Sequence, residues 1–77
     1  MYYYDVVASI CDEICRTDSR LICGGFNTVE EALNYINEND ISEEDYYWLC
    51  NENEMAYIEI ETHDVLSGTI CDVITVD

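Results

Sequence analysis

Apolar and polar positions change period along this chain, and each change marks an element. Residues 2–11 alternate, with Tyr2, Tyr4, Val6, Ala8 and Ile10 on one side and Tyr3, Asp5, Val7, Ser9 and Cys11 on the other, which is a strand period. A helical stripe of Val7, Ile10, Cys11, Ile14 and Cys15 behind an Asp5 cap competes over residues 5–15; the Tyr and Val enrichment favours the strand. Arg16-Thr-Asp-Ser-Arg20 reads as a polar turn, and Leu21-Ile22-Cys23 as a short second strand ending at Gly24-Gly25. Together they make an N-terminal hairpin.

The period then lengthens. Thr28 caps a helix over about 29–38, Glu31 closes the capping box, and Val29, Ala32, Leu33 and Ile36 form its apolar stripe. Ser42 starts a second helix over roughly 43–50, with Glu43, Glu44 and Asp45 in the first turn and Ile41 and Tyr46 at the staple positions. From Met55 the period returns to two: Ile58, Ile60 and Thr62 face one way, and Tyr57, Glu59, Glu61 and His63 the other. A turn at Val65-Leu66-Ser67-Gly68, with Gly68 left-handed, pairs residue 65 with 69 and places Ile70, Asp72, Ile74 and Val76 on the face of Ile58 and Ile60. The expectation is a single α+β domain over 1–77, a small antiparallel sheet of about four strands with two acidic helices on one face, in the order ββααββ.

Charge changes the picture most. Two Arg, no Lys and eighteen acids give a formal charge of −16. Twelve of those acids lie between Thr28 and Asp64, a stretch without Lys or Arg. Direct contact with nucleic acid or an anionic membrane is excluded, since both require a basic footprint. Hydrophobic residues at 49% with seven Tyr exclude an acidic disordered tail. No run of about 20 apolar residues and no basic leader occurs, so the chain reads as cytoplasmic. Five cysteines, an odd number, fit a reducing compartment as thiols. Crowded carboxylates are expected to raise one another's pKa values in the folded state.

Catalytic and metal signatures are weak. Cys11, Cys15, Cys23 and His63 lack the paired C-x2-C spacing of a zinc site, and Asn37–Asp45 lacks the Gly and Glu positions of an EF-hand. His63 reads as plain surface, and Gly24-Gly25 as turn residues rather than a phosphate loop. No catalytic residue, metal or cofactor is expected. Surface contact is. The candidate partner-binding residues are Glu38, Asp40, Glu43, Glu44, Asp45 and Tyr47 on the helices, Glu52 and Glu54 in the connection, and Tyr57, Glu59 and Glu61 on the outer side of the third strand. Trp48 is assigned to the core.

One magnitude gives this surface a meaning. A globule of 77 residues spans roughly 30 Å, and B-form DNA of that length carries roughly eighteen phosphates, close to the net charge of −16. In length, charge and aromatic-plus-acid composition the chain resembles the small acidic phage proteins that act as DNA mimics, the anti-restriction and anti-CRISPR inhibitors. That resemblance implies a non-catalytic inhibitor acting in a host cell on the basic nucleic-acid-binding or PAM-reading cleft of a nuclease. The alternative is a small acidic interaction or regulatory domain that docks on a basic partner without competing with nucleic acid.

Overall fold

The computed structural model describes residues 1–76. Strand β1 (Tyr2–Cys11) and strand β2 (Arg16–Phe26) are followed by helix α1 (Val29–Glu38), a 3-10 helix (Glu43–Leu49), strand β3 (Met55–Asp64) and strand β4 (Ile70–Val76). The strands form one antiparallel sheet in the order β2-β1-β3-β4. The α+β architecture is as the pattern predicts. The second helix differs, being 3-10 rather than α.

The 3-10 form has a visible cause. Glu43, Tyr46 and Leu49 are the partly buried positions of that segment, and the residues between them are exposed. A period of three matches the three residues per turn of a 3-10 helix, so one edge of the segment meets the sheet. Ser42 caps it, its Oγ accepting the Glu44 N–H at 3.3 Å.

Thr28 caps helix α1 as expected, its Oγ1 accepting the Glu31 N–H at 3.1 Å, but Glu31 reaches one residue past the cap, its Oε2 accepting the Asn27 N–H at 3.4 Å, so the box does not close on Thr28 itself. Its buried positions are Ala32 and Ile36; Leu33, read as part of the stripe, is 38% exposed, while Tyr35 is partly buried and tilts against Phe26 at 5.4 Å. The helix ends in a Schellman-type turn: the Ile41 N–H returns to the Ile36 carbonyl at 3.0 Å, and Asp40 between them takes φ 51°.

The central strand β1 settles the strand–helix competition, because it pairs along its length with both neighbours. Strand β2 is longer than predicted. The turn falls earlier, at Asp12, whose Oδ1 accepts the N–H groups of Ile14 and Cys15 at 2.7 and 2.8 Å. Arg16–Arg20 then runs extended along a sheet edge, and its polar composition reflects exposure rather than a turn. Gly24-Gly25 forms an irregularity within β2, after which Phe26 pairs with Tyr4. Strands β3 and β4 keep the expected register, Ile60 opposite Ile74 and Ile58 opposite Val76, until it shifts by one beyond Thr62, so Asp64 rather than Val65 meets Thr69 at the turn; Gly68 has φ +71°.

The core lies between sheet and helices. Val6, Ala8, Ala32, Ile36, Ile58 and Ile60 form one buried cluster, edged by Tyr4, Ile22, Phe26, Val29, Ile41 and Tyr46. Burying a side chain such as Ile36 contributes about 1.5–3 kcal/mol. No helix of the described residues is long and apolar enough to cross a membrane.

Candidate functional site

The helical layer presents the acidic surface. Glu38, Asp40, Glu44, Asp45 and Glu52 are exposed, and Glu43 and Glu54 are half-buried. Tyr47 on the 3-10 helix is 45% exposed, whereas Tyr57, 37% exposed, lies on β3 with the parity of Glu59 and Glu61, away from the helices. Both helices begin with acids, where the backbone N–H dipoles favour them, and neither has a basic residue in its last turn. No ion pair among the described residues reaches this surface: Arg16 is spent on Glu59 and Glu61, and Arg20 lies over the Trp48 ring rather than against a carboxylate.

Trp48 is a correction. It is 74% exposed, not core, because the period of three that turns Tyr46 and Leu49 inward turns Trp48 outward. The Arg20 guanidinium lies 5.9 Å from its ring centroid. Beside the end of α1 a cleft of about 360 Å3 has Ile36, Ile58 and Val76 among its lining and Asp40 and Glu43 as its acids. The Schellman-type turn places Asp40, since it drives Ile41 toward the core and leaves Asp40 outside, and Glu43 follows as the first residue of the 3-10 helix.

The opposite face of the sheet holds a second cluster that the sequence reading did not assemble. Glu59 and Glu61 were expected as free outward charge, yet their side chains are only 14% and 8% exposed. Arg16 reaches from β2 to both, Nη2 donating to Glu59 Oε1 at 2.9 Å and Nη1 to Glu61 Oε2 at 2.7 Å. Ser9, fully buried on β1, and Thr75 on β4 donate to Glu59 as well. These carboxylates are bound internally because desolvating them demands compensation.

His63 completes this cluster, and it too departs from its reading as plain surface, its side chain being 12% exposed. Its ring stacks on Tyr3 at 4.9 Å, the direct cross-strand neighbour. Nδ1–H donates to the Gly68 carbonyl at 3.0 Å, and Nε2 faces Glu61 Oε1 at 3.1 Å and Asp5 Oδ2 at 3.5 Å. The Gly68 bond, opposed by burial and helped by Glu61 and Asp5, raises the His63 pKa above its ordinary value. Asp5 is held from behind by the Gly25 N–H on Oδ1 at 2.9 Å. A Cβ at position 24 would stand 2.5 Å from that oxygen, so Gly24 permits the approach.

The signal for this cluster was present but incomplete. Glu59, Glu61 and His63 share strand parity, yet the arrival of Asp5 and Arg16 depends on which strands pair. The expected rise of carboxylate pKa values also meets a correction. Asp12, Glu54 and Asp64 are held below the ordinary carboxylate range, Asp12 by the Cys15 and Ile14 N–H groups, Glu54 by the Thr17 hydroxyl and Asn51 N–H, and Asp64 by the Leu66 and Ser67 N–H groups. Local hydrogen bonds outweigh desolvation at these positions, and at Glu54 the repulsion of Asp12 as well.

Set against protein-family models, curated proteins and solved structures, the chain matches none of them.

Proposed function

We propose that this protein is a non-catalytic acidic inhibitor that occupies the basic nucleic-acid-binding or PAM-reading cleft of a nuclease such as a CRISPR effector, its carboxylates standing in for phosphates. The observation that carries this reading is the unneutralised helical layer: exposed carboxylates from α1 through the 3-10 helix with no cation paired to them among the described residues. The net charge of −16 along a longest extent of 38 Å is about one charge per 2.4 Å, against one per about 1.7 Å of B-form DNA. A basic cleft would be steered toward such a surface. The cleft beside Asp40 and Glu43 suits a partner's Arg or Lys, with the aliphatic stem on Ile36, Ile58 and Val76 and the charged head at the carboxylates. Tyr47 and Trp48 supply exposed aromatic area on the 3-10 helix.

The test is capture with the tagged protein at about 0.1 M and about 0.5 M salt from a lysate containing nucleases and CRISPR effectors, followed by competition. Salt-sensitive capture of a nuclease that DNA or guide RNA releases supports the reading. A captured partner that keeps its nucleic acid while bound sinks mimicry in favour of the docking-domain alternative. Reversal of Glu43, Glu44 and Asp45 to Lys should slow association with the target by tenfold or more while leaving dissociation less changed.

A further inference from the structure

We infer that Asp5, Glu61 and His63 form a binding site for a divalent first-row cation of the Mn2+ and Zn2+ class, bridging β1 and β3 on the face of the sheet away from the helices. It stands independently of the inhibitor reading, which uses the other face.

The donor atoms converge. One ligand atom from each of the three residues lies within 4.8 Å of the others, with His63 Nε2 at 3.1 Å from Glu61 Oε1 and 3.5 Å from Asp5 Oδ2. Metal bonds of about 2.1 Å put cis or tetrahedral ligand pairs about 3.0–3.4 Å apart, so the two pairs made by His63 already fit and the carboxylate pair closes by up to about 1.4 Å. An imidazole with two carboxylates suits a borderline divalent ion. Two carboxylates also neutralise such an ion, and Arg16 is already balanced by Glu59.

What distinguishes this cluster from ordinary acidic surface is the outer support of each ligand. The Gly68 carbonyl accepts a hydrogen bond from the Nδ1–H of His63, which leaves Nε2 as the nitrogen that carries either a lone pair or a second proton toward the carboxylates. The Gly25 N–H holds Asp5 Oδ1 and frees Oδ2; the Arg16 guanidinium holds Glu61 Oε2 and frees Oε1. Stacking on Tyr3 fixes the imidazole plane. Ligands that each spend one atom on an outer partner and aim the other inward are the arrangement metal sites use to orient their first shell. The three side chains are only 16%, 8% and 12% exposed, so their ligand atoms are largely desolvated.

Mn2+ is the probe, because five free cysteines would compete for Zn2+. Substoichiometric Mn2+ added to the isotope-labelled full chain should broaden the His63 ring signals first, with Tyr3 next. Calorimetric Mn2+ affinity should fall by at least tenfold in both His63→Gln and Asp5→Asn. Broadening centred on Glu43–Asp45 with a sharp His63 ring, or equal affinity in folded His63→Gln, overturns the site. The broadening map needs no variant, so it decides the matter even if a substituted chain fails to fold.

Discussion

Replacing Arg16 by Met removes a cation from between two nearly buried carboxylates, and the structure sets the size of the loss. Glu59 and Glu61 are 14% and 8% exposed at the side chain, whereas Arg16 is 31% exposed and remains partly solvated. Breaking a fully buried pair costs about 3–5 kcal/mol, and screening of the guanidinium brings the expected loss here to about 2–3 kcal/mol. A chain of 77 residues has about 4–12 kcal/mol of total stability. The substitution therefore removes a large share, and Tm should fall by about 10–20 °C. Urea unfolding with EDTA present gives the free energy directly, with Arg20→Met as the control for losing one positive charge. The deficit should persist at about 0.5 M salt, because salt screens the exposed acids and not this pair. Adding Glu61→Gln to Arg16→Met should recover part of the loss, showing a coupling above about 1 kcal/mol. A Tm change no larger than that of the Arg20 control, or additive single substitutions, would falsify the view that this face is held by a desolvated ion cluster.

The acid limb tests the depressed carboxylates. Asp12 and Glu54 have folded pKa values below their ordinary 3.8 and 4.5, so their contribution is complete above those values and is lost as pH falls through the folded ones. Melting profiles from pH 5 to pH 2 should show that loss, and Asp12→Ala should flatten its share of it; an unchanged acid limb would refute the assignment. Asp40 has φ 51°, so Asp40→Gly should raise stability by up to about 1 kcal/mol in urea unfolding while weakening capture of a basic target. Trp48→Ala should change stability by less than about 0.5 kcal/mol yet reduce target affinity by more than tenfold in titration calorimetry. A destabilised Trp48→Ala chain with intact affinity would place that ring in the fold rather than at a contact.

The α+β class, the cap at Thr28, the left-handed Gly68 and the register of Ile60 against Ile74 were legible in the residues, because each rests on a local period or a short turn. The extent of β2 was not. An edge strand buries little, so Arg16–Arg20 carries no hydrophobic alternation to announce it. Trp48 was misplaced for a related reason: an α period and a 3-10 period diverge within two turns, and only packing against the sheet selects between them. The acidic helical layer followed from the sequence, since charge without nearby cations has nowhere to be neutralised. The cluster of Asp5, Arg16, Glu59, Glu61 and His63 required the fold. Strand parity places three of these side chains on one face, but the order β2-β1-β3-β4 is a long-range choice that brings the other two beside them. In this protein the sequence determined how much negative charge there is, and the tertiary structure decided which of it stays free. A carboxylate's fate depends on what stands within a few ångströms of it, and across the sheet those neighbours lie as many as 58 positions away, as Asp5 and His63 do.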